Sequence, residues 1–317
     1  MKVAAYQHGI YPRSEDVVAA TRGLERGRVG ESEVESAFAS DLADVVAVQR
    51  DAGLDLFSDG LLRWQDIFRP LVGAASGLEA QTLVRWFDNN SFFRAPEVTG
   101  QLALRETPPG VFDVDLPAPK VATIPSPFLF SRAAQATGDR DALMKDVARE
   151  VLAPVAGALV ERGYEVVHLE EPWLTYFGID DGSWDELEKS IGEIHDALGG
   201  RATLVLHTFF GDAGPHVDRL RRLPVDALGV DLVETDPDRL GSGWEIGFLA
   251  GCLDGRRSLV GPVDGVVAFV RRAVEQTGAP SLFLSSNSEL ELLPRDIARA
   301  KVTRLGEVAA CLKEDLA

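Results

Sequence analysis

Cysteine is scarce in this chain, with only Cys252 and Cys311 among 317 residues. They fall in FLAGCLDG, an apolar strand-like run, and VAACLKEDLA, a final helical run. That context makes them small buried hydrophobes rather than a disulfide or a thiolate metal site. Positive charge is short as well: 32 lysines and arginines against 50 aspartates and glutamates leave a net charge of −18. Such a surface is a poor match to nucleic-acid phosphates and to anionic membranes, so neither is expected as a partner, and the acidity reads as solubility. Long hydrophobic runs are missing. No stretch approaches the ~18 uninterrupted apolar residues of a membrane helix, and the opening MKVAAYQHGIYPRSED shows neither the apolar core nor the cleavage pattern of a secretory leader. A cytoplasmic, enzyme-like protein is the expectation. What remains is 45% hydrophobic and 26% charged, enough for a large core.

Short apolar runs recur at 3–6, 54–57, 121–124, 166–169, 202–206, 227–233, 246–249 and 282–284. Continuous apolar runs of this length are the mark of parallel strands buried on both faces. Segments of helical periodicity separate most of them, at 31–49, 141–161, 184–198, 216–222, 263–276 and 294–312. Eight strand–helix units predict a (β/α)8 TIM barrel, an α/β fold, spanning 1–317 as one domain. Ser14 and Ser183 read as helix N-caps, Gly163 and Gly278 as helix stops, and Pro154 as a kink. The stretch 73–119 breaks the pattern. Its runs 85–93 and 97–106 predict a β-hairpin in an excursion after strand two, closed by TPPGVFDVDLPAP. An insertion there is expected to lie over the barrel mouth.

In a barrel, residues just beyond the strands are those that meet a substrate. By that rule the rim collects Tyr11 and Arg13, Asp59 and Arg63, Ser126, Glu170 and Glu171, His207, Glu234, Asp254 and Ser288. His207 ends the run ATLVL and Glu234 ends GVDLV, a pairing by which barrel enzymes hold a metal. The adjacent Glu170 and Glu171 are expected to repel, which would raise one pKa and provide a proton donor. Arg13 and Arg63 can either close local ion pairs or grip an anionic group of a substrate. Trp173, Tyr176 and Phe177 follow the two glutamates, as rim packing or as a platform for a flat ring such as a pterin. His8, His168, His195 and His216 show no partner pattern.

Seven motifs then carry a resemblance that keeps its order along nearly the whole chain. They are GIYPRSE, AGLDLFSDGLLRWQD, IPSPF, HLEEPWL, LHTFFGD, GVDLVE and SSNSELELLPRDIARAKV. Together they resemble the catalytic C-terminal domain of cobalamin-independent methionine synthase, within the uroporphyrinogen decarboxylase/methionine synthase-like barrel superfamily. That resemblance implies methyl transfer from a folate-type donor to a thiol held on zinc by one His, one Glu and two Cys. Here His207 and Glu234 stand at the first two ligand positions, while the cysteine positions hold Phe209 and Ser288. Leu61 stands where the family has an acidic partner for the substrate's amino group, and Glu170 replaces an Asp.

The departures shape the functional expectation. The zinc site is incomplete, so a divalent metal is expected at His207 and Glu234 only if other rim donors complete the set. The first reading is a methyl or alkyl transferase, or an enzyme of carbon–sulfur bonds, acting on a small and anionic substrate other than homocysteine. In it His207, Glu234, Glu170 and Glu171 are catalytic. Tyr11, Arg13, Asp59, Arg63, Ser126, Trp173, Asp254 and Ser288 bind substrate. A metal-free lyase or decarboxylase of the same superfamily is the second reading, and a non-catalytic binding protein on the same scaffold the third.

Overall fold

The computed structural model describes residues 1–108 and 111–316. The chain opens with strand β1 (Lys2–Ala5) and helices α1 (Glu15–Glu25) and α2 (Glu31–Asp51). Ser14 caps α1 by accepting the Val17 N–H at 3.2 Å. After the short helix α3 (Arg69–Ala74) come the antiparallel strands β2 (Ala75–Arg85) and β3 (Phe92–Leu104). Strand β4 (Lys120–Pro125) leads to helices α4 (Pro127–Ala133) and α5 (Arg140–Val147). A π-helical turn, Ala148–Leu152, joins α5 to α6 (Ala153–Glu161). It lies just ahead of Pro154, whose missing N–H breaks the regular ladder. Then β5 (Tyr164–Glu170), α7 (Pro172–Phe177), α8 (Trp184–Leu198), β6 (Thr203–Thr208), α9 (Val217–Leu220) and β7 (Ala227–Asp231) alternate. The chain closes with β8 (Gly247–Leu253), α10 (Val263–Thr277), β9 (Ser281–Ser286) and α11 (Arg295–Asp315).

Seven strands form one parallel sheet in the order β1-β9-β8-β7-β6-β5-β4. The expected second barrel strand, 54–57, is not a regular strand. It is reduced to one parallel bridge between Phe57 and Lys120. The segment nevertheless fills the gap between β1 and β4. Asp55 and Leu56 N–H reach the Ala5 carbonyl at 2.9 and 3.4 Å, and Phe57 N–H reaches the Pro119 carbonyl at 2.9 Å. The departure has a local cause: the Asp55 carboxylate accepts the Ala5 N–H at 2.8 Å, displacing the backbone carbonyl that a ladder would use. The fold is an α/β TIM barrel with one irregular stave.

The hairpin is longer than expected and its turn, 86–91, falls inside a run read as strand. Its tip does lie over the carboxyl ends of the strands. Ser91 donates to Glu291 at 2.8 Å, Arg256 pairs with Asp88 at 2.8 Å, and the Phe87 ring packs on Trp173, Phe177 and Phe210. Ser183 differs from the expectation too: it makes no side-chain cap to α8, and its hydroxyl meets Asp141 and Arg132 instead. Cys252 and Cys311 are unpaired and only partly buried.

Candidate functional site

Side chains two residues apart on a strand point the same way, so the barrel interior is built in layers. The lower layer is apolar: Ala4, Tyr6, Leu56, Val121, Val166, Val205, Ala227 and Leu249 form one buried cluster with Phe283 packed on it. Two residues further along the same strands the chemistry changes. Val166 gives way to His168, Val205 to His207 and Tyr6 to His8, and all three imidazoles are fully buried. Ala227 and Leu249 give way to Gly229 and Gly251, and these provide the space. A Cβ on Gly229 would sit 2.7 Å from the His207 ring, and one on Gly251 would sit 3.0 Å from its Nε2.

The three rings touch. His8 and His168 stack with centroids 4.4 Å apart, and His207 lies edge-on to both at 4.8 and 5.2 Å. Ser285 donates its hydroxyl proton to the Tyr6 carbonyl, so at His8 it can only accept, which fixes the proton of His8 on Nδ1. His168 Nδ1 meets the Tyr6 hydroxyl at 2.9 Å. Among the described residues, Nε2 of His8, Nε2 of His168 and both nitrogens of His207 have no hydrogen-bond partner. Burial holds all three neutral, with His8 lowered to about 3 and the other two well below the usual range.

One level higher sits a group of buried acids. Glu170 ends β5 with its Oε1 3.8 Å from His8 Nε2. Its carboxyl crowds that of Glu289, since both would press on a Cβ placed at Gly9. Two carboxyls can share such a contact only if one keeps its proton. Burial raises both, and for Glu289 the charge of Glu170 adds to the rise. Gly9 makes the approach possible: at φ +66° its absent Cβ would stand 2.5 Å from Glu170 Oε1 and 2.5 Å from Glu289 Cγ. The expected Glu170–Glu171 repulsion is therefore corrected. Successive strand-end residues point apart, and Glu170 is coupled to Glu289.

Glu171 turns toward two helices. Its carboxylate accepts Leu174 N–H and Leu129 N–H, each at 2.9 Å, and the Ser126 hydroxyl, tying together the starts of α7 and α4. Ser126 serves the same cap, also receiving Leu129 N–H at 3.0 Å. Burial pushes Glu171 up to about 7.

The other expected site residues scatter. Glu234 is exposed, in a turn that the buried Asp231 holds by accepting Val233 and Glu234 N–H, so its pairing with His207 is a second correction. The carboxylate ending that strand is Asp231, which also accepts Phe210 N–H and the Asn287 side chain. Arg63 is likewise corrected. It is held bidentately by Glu35 at 2.8 and 2.6 Å and lies over the Phe38 ring, on the outer surface. Arg63→Ala is expected to cost at most about 1 kcal/mol, because exposed pairs contribute little; a melting shift of more than a few degrees would contradict this placement. Arg13 is half buried and donates to the Leu62 and Trp64 carbonyls. Tyr11 is buried beneath the Arg295 guanidinium, its hydroxyl unpartnered among the described residues. Asp254 caps a turn through Arg256 and Arg257 N–H, and the Ser288 hydroxyl rests on Asn287.

Asp59 is buried, accepts Leu61 N–H at 3.0 Å, and is pushed by burial from 3.8 up to about 6. A carboxyl raised on folding stabilises the fold below its unfolded pKa and loses that stability as pH climbs through the folded value. Asp59→Asn keeps the Leu61 acceptor and removes the titration. Relative to the parent protein, the variant is expected to gain up to about 3 kcal/mol between pH 4 and 7. Urea denaturation across that range checks it, and parallel pH profiles would contradict it.

The four positions that the resemblance assigns to zinc do not fit that metal here. Phe209 is fully buried against the His207 ring at 5.5 Å, Ser288 is bound to Asn287, and Glu234 points to solvent. A separate cavity of about 300 Å3 opens between the hairpin and α4, walled by Trp86, Phe87, Trp173, Phe177 and Arg132.

An inward ring of histidines and acids at the carboxyl ends of a parallel barrel, roofed by a hairpin, defines an α/β-barrel enzyme site. The chain belongs to the cobalamin-independent methionine synthase family of enzymes. The profile described as "Cobalamin-independent synthase, N-terminal domain" matches residues 61–277. That profile describes the family's N-terminal domain, whereas the motifs resemble its catalytic C-terminal domain. A methionine synthase of Sulfolobus acidocaldarius is 25% identical over 97% of this chain and 91% of its own length. A probable 5-methyltetrahydropteroyltriglutamate–homocysteine methyltransferase of Schizosaccharomyces pombe is 25% identical over 71% of this chain, which spans only 30% of that longer protein. Among solved structures, a B12-independent methionine synthase from Shewanella sp. W3-18-1 superposes with a TM-score of 0.76 at 16% identity, covering 99% of this chain and 98% of its own. A putative one from Listeria monocytogenes gives 0.78 at 17%, covering 98% and 99%. At such identities the superpositions speak for the fold.

Sequence reasoning gave His8, at the end of strand one, and His168 no partner, and did not single out Asp231. It looked beyond the strand ends, whereas His168 lies inside β5. The usable signal was alternation: His168 and Glu170 are two apart on one apolar strand and must face the same way.

Proposed function

We propose that this chain is a cytoplasmic single-barrel enzyme of alkyl transfer or carbon–sulfur bond chemistry, with a small, anionic substrate other than homocysteine. One observation carries the reading. The buried histidine of the family's metal site is present, but the neighbouring thiolate position is a fully buried phenyl ring packed against it. The family's thiolate-bearing zinc set cannot assemble there, because Phe209 has no donor atom. Leu61, buried at φ +47°, offers no charge to a substrate ammonium either.

His207 and Glu170 are the reacting-site groups in this reading, with the buried Glu289 beside Glu170. Tyr11, whose hydroxyl has no partner among the described residues, and the half-buried Arg13 are the proposed holders of an anionic substrate group. The cavity beside α4 suits a flat donor ring of the folate type: its walls are aromatic, and Arg132 provides a cation for a carboxylate. Among the described residues, no helix is long and apolar enough to cross a membrane.

The test is to incubate the protein with homocysteine and either 5-methyltetrahydrofolate or methylcobalamin, and to assay methionine by mass spectrometry. Methionine formation no faster than in the absence of protein is expected, and robust turnover would overturn the reading. A panel of other small thiols and carboxylate-bearing acceptors, scored for the alkylated product, then identifies the acceptor class. The buried neighbours Glu170 and Glu289, both held toward the protonated form by burial, favour a second reading, a metal-free lyase or decarboxylase in which one of them is the proton donor. Release of carbon dioxide without any alkyl donor would select it.

A further inference from the structure

We infer that His8, His168 and His207 form a binding site for one divalent first-row transition metal inside the barrel, made of imidazoles alone and lacking thiolates. The inference does not rest on the alkyl-transfer reading, since the site is defined by its donors and not by a reaction.

Three independent features point to it. One donor atom from each histidine lies within 4.8 Å of the other two. A metal with imidazole nitrogens at about 2.1 Å would draw each ring inward by less than about 1 Å. The donors are also free: the outer nitrogens of His8 and His168 and both nitrogens of His207 are buried without any partner among the described residues. Leaving buried polar atoms unpaired costs about 1–3 kcal/mol each, and one ion would satisfy a nitrogen of each of the three rings. Finally, the opposite nitrogens are held as liganding histidines usually are. His8 donates to Ser285, which is itself fixed by the Tyr6 carbonyl, and His168 meets the Tyr6 hydroxyl.

The donor chemistry selects the ion. Neutral imidazoles suit zinc, cobalt, nickel, copper or iron, and not the oxygen-seeking magnesium or calcium. Glu170, with Oε1 3.8 Å from His8 Nε2, is the nearest further donor. The barrel makes room on purpose-sized terms: alanine at Gly229 or Gly251 would press on the His207 ring. This centre shares only His207 with the family's zinc set, and neither Cys252 nor Cys311 is among the clustered donors.

The test uses the full chain, stripped of metal by a chelator, dialysed, and titrated with Zn2+ and separately with Co2+. One ion per chain is expected. The cobalt form should show visible d–d absorption without a thiolate charge-transfer band, and X-ray absorption of the zinc form should show imidazole nitrogens and no sulfur. His8→Gln and His168→Gln should each weaken zinc binding by at least about 100-fold, since a site reduced to two imidazoles is no longer a workable one. Tyr6→Phe should weaken it by about 10-fold, by releasing the His168 ring. Failure of the folded parent protein to bind either ion, sulfur in the zinc shell, or unchanged affinity in both glutamine variants would overturn the inference. If the variants do not fold, by circular dichroism, the absorption spectrum of the parent zinc form decides alone.

Discussion

Replacing Gly306 by alanine is expected to destabilise the protein by about 3 kcal/mol or more, although glycine-to-alanine changes within a helix ordinarily stabilise by up to about 1 kcal/mol. Gly306 lies buried in the middle of α11, where α11 crosses the end of α2. A Cβ there would stand far inside van der Waals contact distance of the Ala52 carbonyl oxygen and 2.8 Å from its carbon. The obstacle is backbone, so no rotamer change relieves it. Nor can Ala52 retreat: its N–H is bonded to the Val48 carbonyl at 3.1 Å, and Asp55, three residues on, is tied to Lys313 of α11 and to Ala5 of β1. The helices must therefore separate, opening the layer that covers the irregular stave at 54–57. Gly192 is the control. It also lies within a helix, α8, but its Cβ would meet only the Pro224 ring at an ordinary 3.7 Å. Gly192→Ala should raise the melting temperature slightly and Gly306→Ala should lower it by about 6 °C or more. Equal responses of the two variants would show that the α2–α11 contact is looser than the structure has it.

The barrel was legible because burial on both faces leaves a strong imprint, and the apolar runs at 121–124, 166–169 and 282–284 each lie within an observed strand. The one strand that failed, 54–57, failed through a side chain. Asp55 competes for the backbone, and apolarity does not record that. The hairpin was visible as an excursion, but its turn was not, since Trp86 and Phe87 look like strand residues while packing as the tip over the mouth. The site was read less well, and for a physical reason. Position beyond a strand end suggested Glu234 and Arg63, but whether such a residue turns inward depends on local capping that one sequence does not display. Asp231 takes the N–H groups of its own turn and leaves Glu234 outside. Glu35, 28 residues before Arg63, claims its guanidinium. The inward layer of His8, His168 and His207 needed the register of three strands at once. Alternation within β5 alone would have paired His168 with Glu170.

Glu171→Ala is expected to be the second large effect, and it separates a structural carboxylate from a catalytic one. The side chain is fully buried and accepts three hydrogen bonds, from Leu174 N–H, Leu129 N–H and the Ser126 hydroxyl. The two amides belong to the first turns of α7 and α4, where backbone donors have no partner within the helix. Truncation to alanine orphans the Leu174 N–H and the Ser126 hydroxyl proton, while Leu129 N–H keeps only Ser126, at a cost of about 1–3 kcal/mol for each unpaired group. The total is then about 2–6 kcal/mol, a fall of roughly 5 °C or more in melting temperature. Glu171→Gln should fall between. Its amide oxygen can serve one helix, but its NH2 group then faces the N–H of the other, donor against donor. A general acid would behave differently: the glutamine variant would melt like the parent and lose turnover alone, since an isosteric amide preserves packing while removing the proton. Graded loss of stability through Gln to Ala, with the α4–α7 corner exchanging amide hydrogens faster, is the outcome the geometry predicts. An unchanged melt in Glu171→Ala would show that the corner stands without its carboxylate and would return Glu171 to the reacting site beside Glu170.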